Sequence, residues 1–277
     1  MNPPDSGLLI GMTIGFPRHS AEDAADLLAK LGLEAIEIHL LQLGPGLAGA
    51  PVFEGHAWAL GEALRERGLV VSTLNGAGAT GFEPHLDWDG ATDELARQLR
   101  LAWALGSPRL LCWDGRLPSG SDVATASRRF ADCIEAARER CRLTDPPVVS
   151  VELHPFTFAL ERHALSELAE ELQRIGAGIC LDFCHFGVSL GPGFASSLDA
   201  NVLAAVNHVH FADTDCATSE LHFPPGRGIL DLESIMSHLS ALEVAVAWDL
   251  FGWPAPQAAI RESLTTYAHF VRERAAA

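Results

Sequence analysis

Four side chains able to hold a cation or move a proton sit in short apolar runs: Glu152, Asp182, His210 and Asp249. Asp182 lies in the run 179–186, Ile-Cys-Leu-Asp-Phe-Cys-His-Phe. Read as a strand, the run turns Cys180 and Asp182 one way and Leu181 and Phe183 the other, because side chains alternate along extended backbone. A carboxylate in such surroundings is costly to bury unless it is paired, hydrogen-bonded or bound to a metal. The run 148–154 likewise puts Ser150, Glu152 and His154 on one face, with the valines and Leu153 opposite. In 206–211, His208 and His210 oppose Val209 and Phe211; in 244–250, Ala245, Ala247 and Asp249 oppose the valines and Trp248. Three carboxylates crowded together repel one another unless a cation lies between them. Oxygen ligands with one imidazole suit one divalent ion, Mn, Co, Mg or Zn, and leave positions for substrate oxygens. A lone inward polar residue is ordinarily a hydrogen-bonded core group. Four in register are different, because burying the whole set unpaired is far more unfavourable. His208, one layer deeper than His210, reads as a residue that orients its neighbours. His154 reads equally as a substrate contact or a loop cap. Glu37 reads as an acid behind the site or an ion-pair partner, and Cys180 and Cys184 as core thiols.

Bringing those residues together requires strands that run side by side. Eight runs rich in Val, Ile and Leu qualify, at 8–14, 35–41, 69–75, 109–113, 148–154, 178–183, 206–211 and 244–250. The stretches between them have helical spacing. Ser20 and Asp23 form a capping box ahead of Leu27, Leu28 and Leu31. Ala57, Leu60 and Leu64 mark a second helix, Leu95, Leu99 and Ala102 a third, and Val123, Phe130, Ile134 and Ala137 a fourth. Leu165, Leu168, Leu172 and Ile175 mark a fifth, and a short sixth falls near 198–205. Asp231 caps a seventh with Leu232, Ile235 and Leu239; Ile260, Leu264, Tyr267 and Val271 mark an eighth. Gly32, Gly68, Gly106 and Gly176 stand where a glycine ends a helix before the next strand. Eight strand-then-helix units with continuously apolar strands predict an α/β fold, a (β/α)8 TIM barrel, as a single domain over residues 1–277. The competing fold is an open doubly wound sheet. It would need a glycine-rich phosphate turn, and the segments 10–12 and 74–78 match one poorly. In a barrel, the four candidate residues fall on the last four strands, at the C-terminal mouth where catalytic residues of this architecture collect.

Composition removes several function classes. The 277 residues carry 19 basic and 36 acidic side chains, a net charge of −17, with Lys30 the one lysine. Such a surface, with no basic cluster, repels phosphate backbones, so no nucleic-acid partner is expected. Lys30 ends a helix beside Leu31 and Gly32, which leaves Schiff-base chemistry without an evident residue. The first residues lack the features of a signal peptide, and no apolar run is long enough to span a bilayer, so no membrane partner is expected. The 6 cysteines are scattered without zinc-ribbon spacing and read as reduced thiols of a cytoplasmic protein.

Taken in order, the motifs carry a family resemblance. They are Val151-Glu152, the D-x-x-H element Asp182 to His185, the segment His208 to Asp213 (HVHFAD), the loop 224–231 (PPGRGILD) and Asp249. Together they resemble the xylose-isomerase-like barrel superfamily, which includes sugar isomerases, ketose 3-epimerases, inosose dehydratases and three-zinc apurinic endonucleases. The resemblance covers nearly the whole chain. It implies that Glu152, Asp182, His210 and Asp249 are metal ligands and that Glu152 and Asp249 also move the proton. It implies that His185 contacts substrate, with a catalytic part, or serves a second metal. His154, Trp113 and Asn75 are the other expected substrate contacts, and Trp113 and Trp253 either wall a sugar-sized pocket or simply pack. Glu220 and His222 resemble the D-x-H pair that binds extra zinc in the endonucleases, and with His185 they would hold a second ion.

The implied activity is that of a divalent-metal-dependent sugar or polyol isomerase or epimerase. A keto-polyol dehydratase is the alternative, followed by a zinc phosphodiesterase and then a degenerate barrel that only binds. A small-molecule sugar or polyol is the expected partner, and a homodimer or homotetramer is the assembly common in the superfamily. The chain departs from the epimerase pattern twice. Asp249 stands where epimerases usually have Glu, and Cys216 where they carry a substrate-binding arginine. It departs from the endonucleases at Asn75 and Trp113-Asp114, where that family supplies histidines.

Overall fold

The computed structural model describes residues 9–43, 53–76, 83–239, 242, 244–262 and 264. The eight apolar runs form parallel strands: β1 (Ile10–Met12), β2 (Ala35–His39), β3 (Val70–Asn75), β4 (Arg109–Trp113), β5 (Val148–Glu152), β6 (Gly178–Asp182), β7 (Val206–Phe211) and β8 (Ala245–Trp248). They pair in chain order, and β8 returns to β1 to close the barrel. The helices around them are α1 (Ala21–Lys30), α2 (Glu54–Glu66), α3 (Trp88–Leu105), α4 (Val123–Cys141), α5 (Phe158–Glu161), α6 (Leu165–Arg174), α7 (Phe183–Leu190), α8 (Ala200–Ala205) and α9 (Leu232–Leu239). Residues 256–262 are also helical. Of the expected eighth helix, Tyr267 and Val271 lie outside the described residues, as does Leu8 of the first run.

The local rules that predict these elements operate as expected. The Ser20 side chain accepts from the Asp23 amide at 3.1 Å at the start of α1. Gly106 closes α3 at φ +81°, a left-handed turn open to glycine at no steric cost.

The main core lies between the strands and the helices, filled by outward residues such as Val149, Val151, Leu181, Val209 and Trp248. A separate, small cluster of Ile10, Met12, Ala35, Ala245 and Ala247 lies apart from it, on inward positions of β1, β2 and β8. Along β5 to β7 the pairing sets Asp182 beside His210 and Glu152 beside Cys180. A register shift accompanies Cys180 and His208. It leaves Asn207 as the extra residue of a bulge, and its Oδ1 accepts from Ser150 Oγ at 2.6 Å. That bond crosses the space over Gly178, where a Cβ would lie 2.4 Å from Asn207 Cγ.

Several strands are shorter than the sequence reading has them, β1 and β2 ending at Met12 and His39, and three of the differences bear on candidate residues at the mouth. Phe183 is not a strand residue. Asp182 Oδ1 accepts from the His185 amide at 2.8 Å, so a helix begins at Phe183 at once. The run 183–190 is nearly all apolar and buried, which hides its helical period. Strand β5 stops at Glu152, so His154 belongs to the loop after it, and β8 stops at Trp248, so Asp249 follows the strand.

Candidate metal centre

Glu152 ends β5, Asp182 ends β6 and caps α7, His210 lies near the end of β7, and Asp249 directly follows β8. Each presents a potential ligand atom, and these atoms lie within 4.8 Å of one another, all four residues being buried. The His210 ring is central. Its Nδ1 is 2.8 Å from Glu152 Oε1, 3.4 Å from Asp182 Oδ2 and 3.8 Å from Asp249 Oδ2. Its Nε2 lies 3.1 Å from Glu37 Oε1. Glu37 also holds His208 Nε2 at 2.8 Å and accepts from Asn75 Nδ2 at 2.9 Å. A carboxylate on Nε2 favours a proton there and leaves Nδ1 to face the acids above. Glu37 therefore both stands behind the site and pairs with an imidazole, which joins the two readings of its sequence position.

The acids of this cluster are partly offset by neighbouring imidazoles. Burial alone would raise the Glu37 carboxyl, but the neighbouring His210 and His208 outweigh it and bring it down to about 2. Burial is likewise outweighed at Glu152 by His210 and His154, and at Asp182 by His185, His222 and His210, so both stay well below the usual carboxylate range. His210 is held well above the ordinary imidazole value: burial opposes its charge, while Cys180, Glu37 and Glu152 favour it. His222 is raised against burial by Asp249 and Asp182. Burial dominates at the other two rings, lowering His208 to about 4 and His185 to about 3.

The raised His210 and His222 rings offset part of the acids' negative charge. Asp182 Oδ2 has no hydrogen-bond partner although it is buried. An orphaned carboxylate oxygen facing two further acids and an imidazole nitrogen is the donor set that fits a divalent cation.

A second group overlaps the first. Asp182, Cys184, His185 and His222 also present ligand atoms within 4.8 Å of one another. Of the three residues expected to hold a second ion, His185 and His222 are brought together. Glu220 is exposed at the rim and stands outside the groups of close ligand atoms found among the described residues. His222 reaches the centre because its loop folds back: Asp213 and Phe223 exchange backbone hydrogen bonds, and the His222 amide donates to Phe251 O at 2.9 Å. Its Nδ1 then lies 2.8 Å from Asp249 Oδ2. The HVHFAD and PPGRGILD segments are tied together by one residue. Asp213 accepts from the amides of Thr214, Gly226, Gly228 and Leu230 at 2.8 to 3.1 Å.

Above the centre opens a cavity of about 220 Å3. Asn75, Trp113, His154, His185, Glu220 and His222 line it, as do Met12, Ile14, His39, Leu41 and Phe251, which sequence patterns did not single out. Met12 and His39 end strands, a position that could have flagged them; the loop residues carried no signal. Trp113 packs on His154 with centroids 4.2 Å apart, and His154 on His185 at 3.9 Å. His154 Nε2 lies 3.7 Å from Glu152 Oε2. Trp253 lines a neighbouring groove with Phe16 and Arg18 instead of the mouth cavity. Cys180 and Cys184 are buried as expected, and Cys216 is half-buried outside the cavity lining.

The sequence matches the family model described as xylose isomerase-like TIM barrel over residues 25–267. Among curated proteins, none matches the chain. Several solved structures share the fold. One is the probable 3-DHS dehydratase AsbF from Bacillus anthracis, described as involved in petrobactin synthesis (TM-score 0.70, 18% identity, covering 93% of this chain and 98% of that one). Another is the IOLI protein with a bound zinc atom (TM-score 0.72, 17% identity, 96% and 99% covered). A third is a D-tagatose 3-epimerase-like protein (TM-score 0.72, 16% identity, 97% and 99% covered). At these identities the likeness is one of fold.

Proposed function

The chain belongs to the xylose isomerase-like TIM barrel family, and from that premise we propose that it is a divalent-metal-dependent isomerase or epimerase that moves a proton next to the carbonyl of a sugar or polyol. The observation that carries the reading is the convergence of Glu152, Asp182, His210 and Asp249 around one orphaned buried oxygen. These four residues would hold the ion. When bound, it would polarise a substrate carbonyl and make the adjacent C–H acidic.

The remaining work falls to side chains. Glu152 is the base: one of its oxygens faces His210, while the other lies toward the cavity near His154 and is free to take a proton. Asp249 would return the proton on the opposite face in an epimerase. His185 and His154 line the cavity and would orient substrate hydroxyls there. Trp113 walls the cavity against water.

A second reading, elimination of water from a keto-polyol, is favoured by how Asp249 is held. Its Oδ1 accepts from the Phe251 amide at 2.8 Å and its Oδ2 meets His222 Nδ1 at 2.8 Å. Both oxygens are engaged, and the side chain is one methylene shorter than Glu. A site with one free carboxylate base and neighbouring imidazole acids suits removal of a proton at one carbon and protonation of a departing hydroxyl at the next.

Glu152→Gln tests the shared step. With metal-loaded protein in deuterated water, exchange at the substrate carbon should fall on the order of 10²–10⁴-fold, the usual worth of a positioned base, with circular dichroism unchanged. Undiminished exchange would remove Glu152 from the base role. Product mass then separates an isomer from a species lighter by one water.

A further inference from the structure

We propose that Asp114 is a positioning residue: its buried carboxyl, carrying its proton, donates to the Thr157 hydroxyl and so fixes the loop that brings His154 to the cavity. The role rests on the function reading above, in which His154 orients substrate beside Glu152, and adds to it a residue that does not line the cavity.

Asp114 directly follows β4 and is fully buried. Its Oδ2 accepts from the Ala159 amide at 2.7 Å. The next residue, Gly115, accepts from the Phe158 amide at 2.9 Å through its carbonyl. Two successive residues after β4 thus hold two successive amides at the start of α5. Asp114 Oδ1 is also buried and has no conventional partner among the described residues, yet the Thr157 side chain lies close enough to act on the carboxyl.

Thr157 ties that carboxyl to His154. Its Oγ1 accepts from the His154 amide at 2.9 Å and donates to His154 O at 3.0 Å. A hydroxyl has one hydrogen and two lone pairs. The hydrogen is spent on His154 O and one lone pair on the His154 amide, so a lone pair is what remains. A donor is needed to use it, and a carboxyl is a donor when it carries its proton. An ionised Asp114 would instead draw the Thr157 hydrogen away from His154 O and loosen the loop. Burial favours the protonated form and pushes the carboxyl up to about 7. The titratable groups that face Asp114 are His85 ahead of α3, Cys112 on β4 and His154 after β5.

The loop so held carries the His154 ring between Trp113 and His185, with Nε2 3.7 Å from Glu152 Oε2. Asp114 therefore acts on the presumed base at one remove, by keeping its neighbouring imidazole in place.

The test compares Asp114→Asn with Asp114→Ala and Thr157→Val. Asparagine offers an oxygen to Ala159 and an N–H to Thr157, so it reproduces the protonated acid, whereas the other two break the link. In infrared difference spectra of parent against Asp114→Asn, a carboxylic-acid C=O band should be present at pH 5 and fade as pH rises through about 7. At pH 5, the His154 ring signals in imidazole-labelled NMR should match the parent in Asp114→Asn and be displaced in Thr157→Val and Asp114→Ala. In metal-loaded protein, KM should rise about tenfold in the two disrupting variants, the usual worth of one hydrogen bond. Exchange at saturating substrate should stay within about twofold of the parent, and Asp114→Asn should behave as the parent in both. Absence of the acid band at pH 5 overturns the proposal. So does a His154 ring displaced as far by Asp114→Asn as by Thr157→Val, or left in place by Thr157→Val. Infrared and NMR need no turnover, so a parent with no deuterium exchange would refute the proton-transfer reading while these spectra still decide the role of Asp114.

Discussion

Glu152 and Asp249 are both mouth carboxylates, yet their surroundings give them different freedom. Asp249 accepts a hydrogen bond at Oδ1 and has His222 against Oδ2, whereas Glu152 keeps one oxygen toward the cavity. Chemical role at this scale follows from partners, and partners are what a sequence does not print. The phase of Glu152, Asp182 and His210 was legible because strand alternation leaves few choices once bulky neighbours set the outer face. The partnership of Asp249 with His222 was not, since it spans 27 residues and depends on a loop folding back. Asp114 is a second illegible case. It is buried after β4, with Oδ2 accepting from the Ala159 amide at 2.7 Å. Burial pushes its carboxyl up from 3.8 to about 7, against the hydrogen bonds of Thr157 and Ala159. The folded chain therefore keeps this proton to about pH 7, while the unfolded chain releases it near 3.8. Between those values the unfolded state binds fewer protons, so stability falls as pH rises through the window and the loss is complete above it. Asp114→Asn keeps an acceptor for Ala159 and removes the titration. Relative to the parent, the variant should gain about 2–3 kcal/mol on going from pH 5 to pH 8. Denaturant melts at the two pH values measure it, and an equal difference at both would contradict the assignment.

At the scale of elements, the barrel is built from ordinary parts, and two local irregularities bear on the mouth. One is Asp182, which ends a strand, caps a helix through Oδ1 and still points Oδ2 at the centre. Helix α7 escaped the sequence reading because an apolar run without polar punctuation looks like a longer strand. The other is the bulge at Asn207, where Gly178 leaves room for the Ser150–Asn207 bond beneath the histidines. No alternation rule announces a bulge; a glycine opening a buried strand is the faint sign of one. Gly178→Ala should break that bond and strain β6 against β7, at a cost of roughly 1–3 kcal/mol. A thermal melt would show a lowered midpoint together with weakened metal retention, because the shifted strands carry Asp182 and His210. A variant as stable as the parent would mean that the close approach is easily relieved.

Over the whole molecule, eight repeats of strand and helix were plain from the spacing of apolar residues and the glycines that end the helices. The barrel follows from chain order alone, each strand lying beside its predecessor. Among the described residues no helix is long and apolar enough to cross a membrane. The net charge of −17 is a cost spread over the surface. Self-repulsion of that size is screened within a Debye length of about 8 Å at physiological salt and about 3 Å at 1 M. The midpoint of thermal unfolding should therefore rise by several degrees between 20 mM and 500 mM sodium chloride. A flat or falling midpoint would mean that the surface ion pairs of Arg140 and Arg174 outweigh the general repulsion.

The proposed activity rests on a cation held by Glu152, Asp182, His210 and Asp249. Equilibrium metal binding, read by chelator competition with Mn, Co and Zn on the parent chain and on Asp182→Asn, addresses this directly. Asparagine still caps α7, so the fold is kept while the charge and the orphaned acceptor are lost. The expected result is tight binding by the parent, weakened at least 100-fold in the variant with unchanged circular dichroism. A parent that binds no divalent ion, or a variant that binds as well as the parent, would contradict the metal centre.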